Sequence, residues 1–267
     1  MRPHPRRHPQ AAEARSAGDV VFGVRATLAV FEHRRDDLVE VLHSREVADA
    51  FAPVTQWAAT RKIPCRVVGA ADLARVAGTQ LHEGACARTR ERIWRNPDDL
   101  ARRLVTSGGA AVALDRVRNA YNVGSMIRTA AFFGLDAMIL GALAPHPALP
   151  PDAVRVAEGG AERLHFARTT DLAATLARLR TKGIRIVGTD SRAQQSVFEW
   201  QPPKACVLVV GHERDGLSPR VREQCDAVVA IPGSGEIDSL NVAVASAILI
   251  SQWVARVGPA SGTLPRP

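Results

Sequence analysis

The sequence predicts an α/β protein in two parts, a small α/β domain followed by a larger, mostly parallel sheet covered by helices. Strand-like apolar runs alternate with helix-period segments along the whole chain. Several of those runs, such as residues 206–210, are apolar throughout, as strands buried on both faces are. The alternation weakens once, at Asn96-Pro97-Asp98. With 267 residues, 46% of them hydrophobic, the chain is long enough for two cores.

Residues 1–18 form a basic tail expected to be disordered. It is broken by Pro3, Pro5 and Pro9 and lacks the apolar centre of a secretory signal. A strand at 20–24 and a helix at 25–33, with Leu28 and Phe31 at helical spacing, open the first domain. A strand at 38–42, a helix at 46–60, a strand at 65–68 and a helix at 71–77 continue it. Residues 81–87 read as a turn entering a last strand, after which Arg88, Arg90, Arg92 and Arg95 crowd together. The first domain is placed at 19–95, and a helical or irregular linker at 96–109 ends in Ser107-Gly108-Gly109.

The second domain, 110–257, resumes with a strand at 111–114, a helix at 123–133 and a strand at 137–140, followed by a Pro-rich loop at 145–151. A short helix at 152–157, a strand at 164–166 and an amphipathic helix at 171–182 stopped by Gly183 come next. Strands at 184–188, 206–210 and 227–231, with a helical piece at 219–224, lead to a long terminal helix starting near Ser239. Residues 258–267 are a second expected tail, and there is no internal repeat.

The formal charge is +8, carried mostly by arginine, which suits a polyanionic partner such as RNA. An Arg- and Ala-rich composition also follows from genomic base bias, so charge alone leaves both explanations standing. Cys65, Cys86, Cys206 and Cys225 show no CxxC spacing, which points away from a zinc site or disulfide framework and towards a reducing cytoplasm. Residues 239–255 are uncharged, but they are short and hold Asn241, Ser246, Ser251 and Gln252, so a buried helix is expected and no membrane partner.

Three segments carry polar residues at the carboxyl ends of strands, the ligand side of parallel sheets. In residues 115–130, Asn122 is a good helix cap and Arg128 follows in the first turns; a capped helix with a surface arginine explains this, and so does a phosphate or ribose contact. Gly211-x-Glu213-x-x-Gly216 is a Gly-rich turn with a carboxylate, lacking both the P-loop's Gly-Lys-Ser/Thr and the GxGxxG spacing. Ser239 can cap the terminal helix, and Asn241 stands polar in an apolar run, where a buried amide needs partners.

Together these segments resemble the motifs of the SpoU (TrmH-type) RNA 2′-O-ribose methyltransferases of the SPOUT superfamily. The first is Asn122-x-Gly124-x-x-x-Arg128-Thr129-Ala130, the second Gly211-x-Glu213-x-x-Gly216-Leu217, and the third Ile231-Pro232 followed by Ser239-Leu240-Asn241-Val242. Their order and spacing agree over residues 110–257. The first domain is similar to the substrate-binding domain often fused ahead of such enzymes, through residues 21–24, Ile63-Pro64 and His82-Glu83-Gly84.

The resemblance implies a trefoil-knotted sheet, an obligate homodimer with its active site at the subunit boundary, and S-adenosylmethionine held bent between the second and third loops. Gly211, Ile231 and Leu240 would touch the cofactor through backbone groups, with Val210, Gly216 and Ser239 beside them. Arg128 would clamp the phosphate next to the target ribose and stabilise the forming oxyanion, because a guanidinium with a pKa above about 12 is a poor base. Asn122, Glu213 and Asn241 would position ribose and loops. Arg88, Arg90, Arg92, Arg95, Arg102, Arg103 and His82 would meet ribosomal or transfer RNA, although a solvated arginine face and a turn-stabilising His82 explain the same residues. No metal is implied. The family often has methionine where Gly233 stands, which makes the Gly233-Ser234-Gly235 loop looser and bears on cofactor affinity. Two alternatives remain: a non-catalytic RNA-binding homologue, and methylation of a base.

Overall fold

The computed structural model describes residues 17–141 and 149–258. Most of both expected tails and residues 145–148 of the Pro-rich loop, His146 among them, lie outside the described residues.

The first unit comprises β1 (Ala17–Phe22), α1 (Val24–Arg34), β2 (Leu38–His43), α2 (Ala48–Arg61), β3 (Cys65–Val67), α3 (Ala70–Ala77) and β4 (Ala85–Arg90). Its sheet runs β1-β4-β2-β3, with β2 and β3 parallel and the other pairs antiparallel. Small residues let β4 be covered on both sides. Val21, Val41 and Ala87 join Val30, Phe51 and Val54 in one cluster, whereas Phe22, Leu42 and Cys86 meet Leu73 in another, as the two-residue period of strands requires. The strand starts at Ala17, opposite Arg90, so residues 17 and 18 belong to the sheet and not to the tail expected there.

The segment expected as a linker is a helix, α4 (Pro97–Ser107), capped by Asn96, whose side chain accepts from the Asp98 amide. Its Leu100, Ala101 and Leu104 share a core cluster with the second sheet. That sheet contains β5 (Ala110–Asp115), β6 (Ala137–Gly141), β7 (His165–Thr169), β8 (Arg185–Thr189), β9 (Gln195–Ser196), β10 (Cys206–Val210) and β11 (Ala227–Ala230). Their order is β7-β6-β5-β10-β8-β11-β9 and every pair is parallel. Between them run α5 (Ala120–Phe132), α6 (Pro151–Val156), α7 (Leu172–Thr181) and α8 (Pro219–Arg222), and α9 (Val242–Val257) follows β11.

Both faces are covered, which explains the unbroken apolar strands. Ala111, Ala113, Val207 and Val209 pack in the cluster of Leu104, Leu176 and Leu179, and Val112, Leu114, Leu208 and Val210 in that of Met126, Ile127, Leu249 and Ile250. Burial pushes the Cys206 thiol up to about 12, and the Cys86 and Cys225 thiols to about 11, as expected of packing cysteines. Among the described residues no helix is long and apolar enough to cross a membrane.

Two helix starts differ from expectation. Asn119, not Asn122, caps α5, accepting from the amides of Tyr121 and Asn122. Asn241, not Ser239, caps α9, accepting from Ala243 and Val244. A cap must sit outside the helix with extended backbone, and Asn122 already lies within the first turn. Asn241 is exposed and not buried as the apolar run suggested.

Candidate active site

All strands of the second sheet point the same way, so β5, β10 and β11 deliver the three polar segments to one edge. There Asn122 Nδ2 donates to Glu213 Oε1 at 2.8 Å, and Asn241 Nδ2 donates to Asn122 Oδ1 at 3.1 Å. The polarity of this chain follows from its end. Asn241 Oδ1 accepts the Ala243 amide at 2.9 Å, so its NH2 must face Asn122, whose NH2 in turn faces the carboxylate.

The loop after β10 closes on itself. His212 N donates to Gly216 O at 3.0 Å and Gly216 N to His212 O at 2.9 Å. A Cβ on Gly211 would lie 2.2 Å from the Gly216 carbonyl carbon, so only glycine allows this approach. Gly216 itself adopts φ +65°, the left-handed region.

Asp115 and Arg116, to which the sequence reading gave no role, anchor the loop. Asp115, 4% exposed, accepts from the Ser218 amide at 2.6 Å. Arg116, held at φ +64°, donates from Nη2 to Gly216 O at 3.0 Å and lies 3.6 Å from Asp215. The available signal was an acid-base pair ending a fully apolar strand. His212 Nδ1, which accepts the Arg214 amide at 3.3 Å, is occupied in the same turn.

The third segment leaves β11 through half-buried Ile231, after which residues 232–241 are exposed. Ile237 is 78% and Leu240 47% exposed, and a Cβ on Gly233 or Gly235 would meet nothing within 4 Å. Ser239 is exposed beside Leu240, whereas Val210 is buried at the end of β10.

Arg128 stands apart from the Asn241–Asn122–Glu213 chain. Two turns further along α5, its side chain is 57% exposed and its Nη1 lies 3.2 Å from Glu158 Oε1; the other Glu158 oxygen is 3.7 Å from Arg25 of the first unit.

The arginine run is divided in use. Arg92 Nη2 meets Glu162 Oε1 at 2.6 Å while Arg34 Nε meets Glu162 Oε2 at 2.8 Å, and Glu162 is 2% exposed, so Arg92 joins the two units internally. Arg90 donates to Asp36 O at 3.0 Å, and Arg88, half-exposed, lies 3.4 Å from Glu40. Arg102 pairs with Asp99 and Arg103 with Asp136. Arg95 is exposed. His82 is buried, and its Nδ1 accepts the Gly84 amide at 3.1 Å, holding the turn before β4. Among the described residues no cluster of three metal-ligating side chains occurs.

The family model described as the SpoU rRNA Methylase family matches residues 109–251. A second, RNA 2′-O ribose methyltransferase substrate binding, matches residues 20–93. A protein of Escherichia coli O157:H7 named as an uncharacterized tRNA/rRNA methyltransferase, YfiF, is 30% identical over 238 residues, covering 87% of this chain and 67% of that protein. A relative of the same description from Mycobacterium avium (strain 104) is 35% identical over 186 residues, covering 68% of this chain and 59% of its own length. The chain thus spans about three fifths of that mycobacterial relative.

Two solved structures share the fold. The SpoU methyltransferase AviRb of Streptomyces viridochromogenes, in complex with AdoMet, superposes with a TM-score of 0.70 at 24% identity over 90% of each chain. An AdoMet-bound rRNA methyltransferase from Sinorhizobium meliloti gives 0.73 at 21% identity, covering 88% of this chain and 86% of its own.

Proposed function

The chain belongs to the SpoU rRNA methylase family, and from that premise we propose that it methylates the ribose 2′-hydroxyl of a structured ribosomal or transfer RNA with S-adenosylmethionine. The observation that carries this reading is the hydrogen-bonded chain from Asn241 through Asn122 to Glu213, which ties all three motif segments together between the two Gly loops. The choice of ribose over base is supported by the match of residues 20–93 to a ribose-methyltransferase substrate-binding family.

The residues present fit the cofactor. Ile237 and Leu240 leave apolar surface uncovered, and the loop around Gly233 and Gly235 has open space at both glycines. S-adenosylmethionine bound there supplies a methyl group activated by a sulfonium. Backbone groups of Gly211, Ile231 and Leu240 hold it, flanked by Val210, Gly216 and Ser239. The Asn–Asn–Glu chain fixes the two loops relative to α5, so that orientation is set before RNA arrives. Arg128 clamps the phosphate beside the target ribose and stabilises the developing oxyanion, exchanging Glu158 for RNA. Arg88, Arg90 and Arg95 face the RNA backbone.

The same reading includes a homodimer in the cytoplasm and the trefoil knot of the SPOUT fold. Exposed Tyr121, Phe132 and Val244 on α5 and α9 support a subunit contact there, since a second copy would cover them.

Arg128→Ala removes the phosphate clamp. Transfer of labelled methyl to RNA should fall about 100-fold or more, as when an oxyanion donor is removed, with S-adenosylmethionine affinity within about twofold of wild type. Near-normal turnover with intact RNA binding would remove Arg128 from the mechanism. Alkaline digestion of methylated RNA separates the acceptors, because ribose methylation leaves resistant dinucleotides and base methylation does not. A wild-type protein that binds RNA but not S-adenosylmethionine would be the non-catalytic homologue.

A further inference from the structure

The free edge of the second sheet carries an open groove of about 490 Å³, lined by Trp94, Arg95, Asn96, Arg168, Thr169 and Arg178. One wall is the segment leaving β4, which runs beside the edge strand β7 and donates from Arg95 N to Phe166 O at 2.7 Å. Within it the Arg168 guanidinium lies 4.7 Å over the Trp94 ring, which also meets Phe166 edge-on at 6.3 Å. From the opposite wall α7 contributes Arg178, whose side chain is 53% exposed.

The three guanidiniums keep donors uncommitted. Arg168 and Arg178 form ion pairs with Glu91 and Asp98, each through one nitrogen at 3.7 Å, longer than a hydrogen bond, which leaves their other N–H groups free. Arg95 is exposed and has no carboxylate partner among the described residues. A groove of this kind, with spaced cationic forks and a guanidinium held over an indole, suits phosphates and the flat face of a nucleobase. Its place also matters. Asp115, Gly141 and Thr169 are consecutive partners at the carboxyl ends of β5, β6 and β7, which sets Thr169 about 10 Å from Asp115 at 4.8 Å per strand, at the same end of the sheet as the candidate active site.

We propose that this groove is a second RNA subsite, taking a single-stranded stretch outside the target nucleotide, with phosphates on Arg95 and Arg178 and a base stacked on the outer face of Arg168. The inference rests on RNA being the substrate and adds where it is held. The arginines concerned are largely not those that crowd in sequence, because Arg92 is spent inside the molecule and Arg168 and Arg178 come from the second unit.

The test titrates the full chain with fluorescein-labelled octauridylate, read by anisotropy over a salt series. Arg95→Ala/Arg178→Ala should bind at least tenfold more weakly, with a salt slope smaller by about 1.4, or 0.7 for each lost phosphate contact on a single strand. Arg95→Lys/Arg178→Lys should keep most of the affinity and of the slope. S-adenosylmethionine binding should match wild type in both variants, which also shows that they fold. A double alanine variant within twofold of wild type, or a wild type that does not bind octauridylate, overturns the subsite. Wild type that binds octauridylate but neither binds S-adenosylmethionine nor methylates RNA would sink the methyltransferase reading and leave the groove standing.

Discussion

Asn122 and Asn241 carry the same side chain and do different work. Asn241 spends its oxygen on the first amides of α9 and its NH2 on Asn122, whereas Asn122 has both ends in tertiary bonds. Asn241→Ala therefore removes a cap and the link to Asn122, and Asn122→Ala removes that link and the one to Glu213 but no cap. Loss of the cap should cost Asn241→Ala about 1 kcal/mol of stability in chemical denaturation. The double-mutant cycle should show coupling of at least about 0.5 kcal/mol, and strict additivity would mean that the bond contributes nothing. The sequence marked both residues as functional candidates, since Asn in these positions stood out against apolar surroundings. It could not assign the caps, because Asn119 and Asn122, like Ser239 and Asn241, offer the same local chemistry within three residues. The missed pair, Asp115 and Arg116, acts on Gly216 and Ser218, about a hundred residues away.

At the scale of elements, helix and strand order was legible because periodicity is local. Segment 97–107 shows the limit: Pro97 at the first turn and Asn96 before it signal a helix start, yet its partners lie on α7 and the second sheet. The two-residue β9 was missed because it is too short to carry a pattern. α7 offers a test with a sign. Asp171 caps it, accepting from the Ala174 amide at 3.0 Å and pairing with Arg220 at 2.9 Å. The backbone hydrogen bond first, and Arg220 after it, hold its carboxyl below the ordinary aspartate value. A lowered folded-state value stabilises the protein above the unfolded one, and that contribution is lost as pH falls through the aspartate range. Asp171→Ala should therefore lower the thermal midpoint at pH 7 and lower it much less near pH 3. An equal drop at both would show that the carboxylate's charge plays no part.

For the whole molecule, the two units are joined by a shared apolar cluster and by several ion pairs, of which the most buried centres on one carboxylate. Glu162 sits between Arg34 and Arg92 and is almost fully buried. Glu162→Ala would leave two largely buried guanidiniums facing each other without their shared carboxylate, with only Asp37, 3.8 Å from Arg34, left to balance them, and removing one partner of a buried pair costs about 3–5 kcal/mol. The expected result is a marked fall in thermal midpoint, partly recovered in Glu162→Ala/Arg92→Met. An unchanged midpoint would mean that the units do not depend on this contact.

The alternation of elements, the two sheets and the three motif segments that mark the family can be read along the chain, because they depend on local spacing. Which polar residues remain available follows from how distant segments pack. Arg92 and Arg95 are neighbours in one basic run, but the return of residues 160–162 beside α1 buries the first against Glu162, while the edge of β7 leaves the second open in a groove with Arg168 and Arg178. The choice is made by strand order, which brings together residues 70 or more positions apart, and no local pattern encodes that distance.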